Sequence, residues 1–260
     1  MSPSIIRPGD TVRVIAAFES DPGDKTRLTL AGPDGPLKPM HARKGGGPPF
    51  WRTAEFRAAV AGPYTAAAAV GKMAVASASI DVPAKGPAPG PGRGVWQSRE
   101  GWSRSWENLY SAWLEALFQD SDERASWDAL HAVMRDPAHN FLYDHLGLGE
   151  DEDSSPNRVD MTPDCADNPF YLRAYFAWKL GLPFGFHECA WGSLEVAPRA
   201  ERWWTNGSVG ASGNAAQRFR GLLPMVENVV HAGNGRTAFR AEGNDYYPLP
   251  LTRKDLRPGT

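Results

Sequence analysis

A run rich in proline and glycine over residues 84–95 separates two parts of the chain that carry different patterns. Before it, short β-branched segments alternate with Gly/Pro turns; after it, apolar residues recur every three or four positions. The run has no apolar period of its own, so we expect an extended, semi-rigid linker. These patterns predict an α+β chain with a β-sandwich over residues 1–83 and a helix-rich domain over residues 96–260.

The first part contains six or seven short segments with strand character. They are bounded by turn signals such as the one at residues 33–36. The clearest ones cover residues 11–18, 27–30, 52–58, 64–70 and 74–82. This spacing is typical of an immunoglobulin-like sandwich. The segments Pro-Gly-Asp-Thr-Val and Gly-Pro-Tyr-Thr-Ala also resemble bacterial immunoglobulin-like modules of surface and export proteins. That resemblance implies an orienting or binding role.

Helical periodicity begins shortly after the linker. Five apolar residues recur there at intervals of three and four, namely Trp102, Trp106, Leu109, Trp113 and Leu117. They predict an amphipathic helix that Ser103 or Ser105 caps. We expect two further helices, over residues 127–134 and 140–148, followed by an exposed acidic loop over residues 150–155.

The most apolar helix is predicted directly after Cys165, one of only two cysteines. Asn168 and Pro169 suit its N-cap and first position, and Gly181 suits its end. Free backbone N–H groups and the positive end of the helix dipole stabilise a thiolate at such a position. Cys165 is therefore our candidate nucleophile, with its own N–H and that of Ala166 as expected donors to an oxyanion.

A cysteine nucleophile needs a histidine to carry the proton. We expect His231 to be that base, because it ends the apolar, strand-like run over residues 225–231 and a sharp turn follows it. His187 is the second choice and otherwise lines a cleft. Three alternatives stay open: a Cys165–Cys189 disulfide, an inert buried Cys165, and a zinc site made of both cysteines with His187 and His231.

The pair Asp164-Cys165 at the start of an apolar helix, downstream of an immunoglobulin-like domain, resembles bacterial cell-wall cysteine peptidases of the NlpC class. The resemblance covers residues 160–181 and 255–260, and Ala166-Asp167 stands where the family has Ser-Gly. It implies a papain-like α+β fold in which Asp164, Cys165 and a histidine form the catalytic set.

The segment 256–260 resembles the family's Leu-x-Pro-Gly-Asp segment, which precedes the strand of the catalytic histidine. If the two correspond, the base follows Thr260 in a longer protein and the papain-like domain is incomplete here. Otherwise His231 is the base. A transglutaminase-like arrangement, which also places a cysteine at a helix start, is a further relative.

The function that we predict is hydrolysis of an amide bond in a peptide or cell-wall peptide, with substrate contacts from Trp191, His187 and Tyr171 and with no cofactor or metal. One alternative is a non-catalytic surface protein whose Trp-rich domain binds a glycan or a protein, because indoles line such clefts. Another is a transglutaminase-like acyl transferase.

Net charge and the distribution of apolar residues bear on which partners and which location to expect. A net charge of −2 gives no support for a nucleic-acid partner. No apolar run is long enough to cross a membrane. The first residues lack the charged and apolar regions of a signal peptide. We therefore expect a cytoplasmic protein, or an exported or cell-envelope protein if a leader was removed.

Overall fold

In a computed structural model of the chain, strands dominate the first part and helices the second, so the fold is mixed α and β. Most of these strands and helices lie where local sequence patterns predict them. The structure describes residues 1–58, 60–83, 94–119, 121–122, 125–230, 234–237, 245–246, 248–252 and 255–259. The predicted linker lies almost wholly outside the described residues.

Two antiparallel sheets form the first part. Its seven strands are β1 (Thr11–Phe18), β2 (Thr26–Gly32), β3 (Gly35–Pro36), β4 (His41–Gly46), β5 (Phe50–Arg57), β6 (Gly62–Val70) and β7 (Met73–Val82). One sheet has the order β1-β5-β4 and the other β3-β2-β6-β7. The strands predicted from β-branched alternation are confirmed, and the first matches its predicted bounds.

The two sheets pack face to face around an apolar core. Val12 and Phe56 of one sheet and Leu30 and Tyr64 of the other are 0–1% exposed. Their neighbours along each strand are more exposed, which is the period-2 pattern of a half-buried strand. Burial of this alternating face is what holds the sheets together.

Within its described residues, the second part contains four α-helices and a β-hairpin. These elements are α1 (Arg104–Leu117), α2 (Leu130–Met134), α3 (Asn168–Leu180), β8 (Gly185–Ala190), β9 (Arg199–Thr205) and α4 (Ala215–Val230). Ser103 caps α1 by accepting the N–H of Trp106 at 3.4 Å, as predicted. Gly181 ends α3 in the left-handed region, with φ 67°, also as predicted.

Two predicted elements are wrong. The strand expected over residues 225–231 belongs, as far as Val230, to α4. Phe219, Leu222, Val226 and Val230 are buried at spacings of three and four, so the helical period decides the element over a wider window. The short helix expected over residues 140–148 is a series of turns.

The loop expected to be acidic and exposed is anchored in the core instead. Glu150 and Asp151 are 0% and 2% exposed, because both carboxylates contact the ammonium of Lys179 on α3. Lys179 Nζ lies 2.6 Å from Asp151 Oδ2, and the hydroxyl of Tyr175 donates to the same oxygen at 2.8 Å. Buried charges require such partners, and here the partner lies on another element.

The sandwich and the helical part share an interface. Trp51 of β5 is completely buried in the helical core, and its indole N–H donates to Glu115 of α1. Arg43 of β4 donates to Gln119 Oε1 at 2.8 Å. The β1-β5-β4 sheet is therefore one wall of the helical core. No helix within the described ranges is both long and apolar enough to cross a membrane.

Candidate functional site

Cys165 lies in the turn that leads into α3, and its thiol is free and exposed. The turn is closed by Asp164, whose Oδ1 accepts the N–H of Ala166 at 2.7 Å and that of Asp167 at 3.0 Å. The carbonyl of Asp164 also accepts the N–H of Asn168 at 3.0 Å. Asp164 thus holds the shape of the turn that presents Cys165, and this is the role its carboxylate has in the structure.

This capping corrects one expectation about the oxyanion donors. The N–H of Ala166 already donates to the carboxylate of Asp164, so it is not available to a substrate oxyanion in this conformation. A negative carboxylate that faces the turn also disfavours a second negative oxygen there.

Asp167 is a buried acid beside the cysteine. It occupies the N-cap position of α3 and is 2% exposed, and its Oδ1 has no hydrogen-bond partner among the described residues. Burial, followed by the charges of Asp164 and Glu227, raises the pKa of Asp167 to about 6. The mouth of α3 therefore carries a carboxyl group that changes charge in the mildly acidic range.

His187 of β8 is held by Asp245. Its Nδ1 lies 2.8 Å from Asp245 Oδ1, and its backbone N–H donates to Asp245 Oδ2 at 2.9 Å. The side-chain amide of Asn234 donates to the same Oδ2 at 3.0 Å. An ionised carboxylate only accepts hydrogen bonds, so the Nδ1 of His187 is the nitrogen that donates to Asp245, and Nε2 is left for a second partner. This arrangement prepares Nε2 to act as a base.

Trp203 of β9 packs on the imidazole. The two residues are directly paired across the hairpin, and their ring centroids are 4.5 Å apart. Gly185 makes room for the indole, because a Cβ at position 185 would lie 2.2 Å from Trp203 Cζ2. The indole is still 51% exposed, so it borders His187 and also faces solvent.

Tyr246 connects the His187–Asp245 pair to the mouth of α3. It directly follows Asp245, and its ring meets the ring of Phe170, in the first turn of α3, edge-on with centroids 6.1 Å apart. Burial, followed by the negative charges of Asp245 and Asp167, raises the pKa of its hydroxyl. Tyr246 therefore packs on the first turn of α3, while its neighbour Asp245 holds His187.

Cys189 is a poor nucleophile in this structure. It is 5% exposed, and its thiol donates to the carbonyl of Ala190 at 3.4 Å. Burial, followed by the charge of Asp245, raises the pKa of the Cys189 thiol, which keeps it neutral. Cys165 and Cys189 are not joined to each other, so the disulfide considered from the sequence is not formed.

The other predicted site residues fall in three different settings. His231 lies outside the described residues. Tyr171 is 4% exposed and donates to the carbonyl of Leu223 at 3.0 Å, so it packs α3 on α4, which corrects its expected contact with substrate. Trp191 directly follows β8 and is 61% exposed, so its predicted role in substrate binding stays a prediction.

Three residues of the site escaped the sequence reasoning: Trp203, Asp245 and Tyr246. Asp245 lies 58 positions after His187, and no spacing rule relates them. Trp203 was visible only as one of ten tryptophans. The pairing of β8 with β9 is what selects it, because cross-strand partners share one face of a sheet.

The described part of the chain contains no preformed metal site, because no three His, Cys, Asp or Glu side chains there are placed to hold an ion.

Comparison with models of known protein families finds no match, and comparison with curated proteins finds none either. Among solved structures, the crystal structure of the Lin-41 filamin domain is similar to 33% of this chain and 88% of its own, with 9% identity and a TM-score of 0.25. We draw nothing from a likeness at that score.

Proposed function

We propose that the protein is a cysteine hydrolase with a papain-like second domain and an immunoglobulin-like first domain. Cys165 is the nucleophile, His187 is the base and Asp245 orients His187. The observation that carries the proposal is the His187–Asp245 pair, because the next residue, Tyr246, contacts Phe170 in the first turn of α3 and the exposed Cys165 directly precedes that helix. Nucleophile, base and orienting carboxylate are the parts that acyl transfer requires.

The reaction proceeds in two steps. The thiol of Cys165 gives its proton to Nε2 of His187, and the sulfur attacks the carbonyl carbon of an amide. The C–N bond breaks, the amine leaves with the proton from His187, and a thioester remains on Cys165. Water, deprotonated by His187, then attacks the thioester and releases a carboxylic acid and the free thiol. Asp245 stabilises the imidazolium that forms in each step.

The substrate class is a peptide amide, and cell-wall stem peptides are one member of it. The experiment that tests the proposal incubates the protein with a panel of synthetic peptides and with solubilised peptidoglycan, and measures new primary amines. We expect Cys165→Ala to abolish their release and Cys189→Ala to preserve it. Release that survives Cys165→Ala would refute the proposal.

Iodoacetamide provides a second readout that needs no substrate. The thiol of Cys165 is exposed, whereas that of Cys189 is buried and neutral, so we expect Cys165 to be labelled first. Equal, slow labelling of both thiols would count against a nucleophile at position 165.

A non-catalytic binding role is the second candidate, and the exposed aromatic surface of the hairpin favours it. Trp191 and Trp203 are more than half exposed, and large aromatic side chains exposed near one another are typical of binding surfaces. Peptide binding by the wild-type protein without any amine release would support this role. Incorporation of an added primary amine in place of water would instead indicate the transglutaminase-like acyl transfer.

A further inference from the structure

We propose that the outward face of the β8–β9 hairpin, centred on Trp203, is the subsite for a bulky apolar side chain of an extended peptide substrate. The inference rests on the proposed function, because it places that side chain next to the amide that His187 and Cys165 process. The proposed subsite favours peptides that carry a bulky apolar side chain beside the cleaved bond.

The first argument is the position of Trp203. Its indole contacts the ring of His187 on one side and is 51% exposed on the other. Gly185 beneath it has no side chain to lift it away from the strand. A flat, rigid aromatic surface at this distance from the base offers apolar contact to the residue beside the cleaved bond.

The second argument is continuity along the hairpin. Twelve large apolar side chains of the described residues are exposed, and four of them lie within residues 191–203 of this one hairpin. The other three are Trp191 at 61%, Leu194 at 107% and Val196 at 50%. Such concentration of exposed apolar side chains marks a binding site, and one of the four, Trp203, contacts the ring of His187.

The third argument is charge. Arg199 pairs with Glu201 at 2.6 Å, and the guanidinium of Arg202 lies 3.6 Å from the ring centroid of Trp204. Glu188 and Glu195 are the other charged residues of the hairpin, so three negative groups stand against two positive ones. This face therefore offers no net attraction to an anionic side chain, and an apolar one fits it better than the carboxylates of acidic peptides.

The test measures binding to the Cys165→Ala variant, which cannot turn over substrate. Three acetylated pentapeptide amides differ only in a central Phe, Ala or Glu. We expect the Phe peptide to bind at least about tenfold more tightly than the other two, as a filled apolar pocket allows. It should also shift the indole N–H resonance of Trp203, which Trp203→Phe identifies.

Three variants then locate the contact. Trp203→Ala and Leu194→Ser should each weaken binding of the Phe peptide and leave that of the Ala peptide unchanged. Leu194 is fully exposed, so its variant tests the surface without endangering the fold. Trp127→Ala is the control, because Trp127 is 45% exposed but packs on Phe118, the residue that follows the first helix.

Several results would overturn the subsite: equal binding of the three peptides, no effect of Trp203→Ala and Leu194→Ser, or Trp203-dependent binding to phosphatidylglycerol vesicles without peptide preference. Trp203-dependent dimerisation without peptide preference would overturn it as well. Failure of the proposed function is a separate outcome. Wild type that binds the Phe peptide at Trp203 but releases no amine refutes catalysis, whereas amine release without side-chain preference refutes only the subsite.

Discussion

The Nδ1 of His187 lies 2.8 Å from Oδ1 of Asp245, and the backbone N–H of His187 donates to Oδ2 of the same carboxylate at 2.9 Å. Two anchors from one carboxylate set both the position of the strand and the orientation of the ring. This relationship is the reason to assign the proton transfer to His187, whereas the sequence had favoured His231. It also makes the assignment testable without knowledge of the natural substrate.

Asp245→Asn should lower kcat for amide hydrolysis roughly 10²–10⁴-fold and change KM little. The amide can donate to Nδ1 and thereby place the imidazole proton on Nε2, where it cannot act as a base. Asn234→Ala is the matched control, because its amide touches the same carboxylate without touching His187, and it should have a much smaller effect. An unchanged kcat in Asp245→Asn would remove Asp245 from the mechanism.

Lys179→Met should reduce the free energy of unfolding by about 3–5 kcal/mol. The substitution leaves Glu150 and Asp151 buried without their cation. Urea denaturation measures the loss. Lys44→Met is the control: its pair with Asp24 at 2.7 Å is exposed to solvent, so its removal should cost much less stability. Equal losses would show that the buried cluster is not a structural anchor.

Asp167→Asn should stabilise the protein above about pH 6 and have little effect near pH 4. The pKa of Asp167 is raised from 3.8 to about 6, so the folded state retains the proton longer than the unfolded state. Stability therefore falls as pH rises between these two values, and loss of the titrating group removes up to about 3 kcal/mol of that fall. Urea midpoints across this range measure the slope.

Asp24→Asn supplies the control of opposite sign. The hydrogen bond and charge of Lys44 lower the pKa of Asp24, so its contribution to stability is present above the unfolded value and lost as pH falls. A profile of Asp167→Asn that runs parallel to that of the wild type would contradict the account of a buried acid with a raised pKa.

Trp51→Ala should cost about 3–5 kcal/mol and should destabilise both parts of the molecule together. Trp51 lies on a strand of the sandwich, but its indole packs in the core of the helical part. Thermal unfolding followed by tryptophan fluorescence and by far-ultraviolet circular dichroism measures the effect. Leu194→Ala, on the exposed hairpin, should change stability by less than about 0.5 kcal/mol. Loss of only one of two separate transitions would contradict a shared core.

Elements set by local chemistry could be predicted from the sequence. The strand of residues 11–18 follows from its alternation, the start of α1 from Ser103, and the end of α3 from Gly181. Each needs information from only a few neighbouring residues. Cys165 at a helix mouth was found in the same way.

Features that depend on distant partners could not be predicted. Glu150 and Asp151 had the pattern of a solvated loop because Lys179 is 28 or more positions away. Likewise, the contact of Asp245 with His187 joins residues 58 positions apart, so only the folded chain reveals it. Ala166 was expected to bind an oxyanion because the reach of the Asp164 side chain around the turn depends on the folded backbone.

The central claim is that His187 activates Cys165. The most direct test is the rate of iodoacetamide alkylation of Cys165, followed by mass spectrometry near neutral pH, in wild type and in His187→Ala. A histidine that takes the thiol proton raises the thiolate population, so we predict a rate at least about tenfold lower in the variant. The same rate in both proteins would contradict the account.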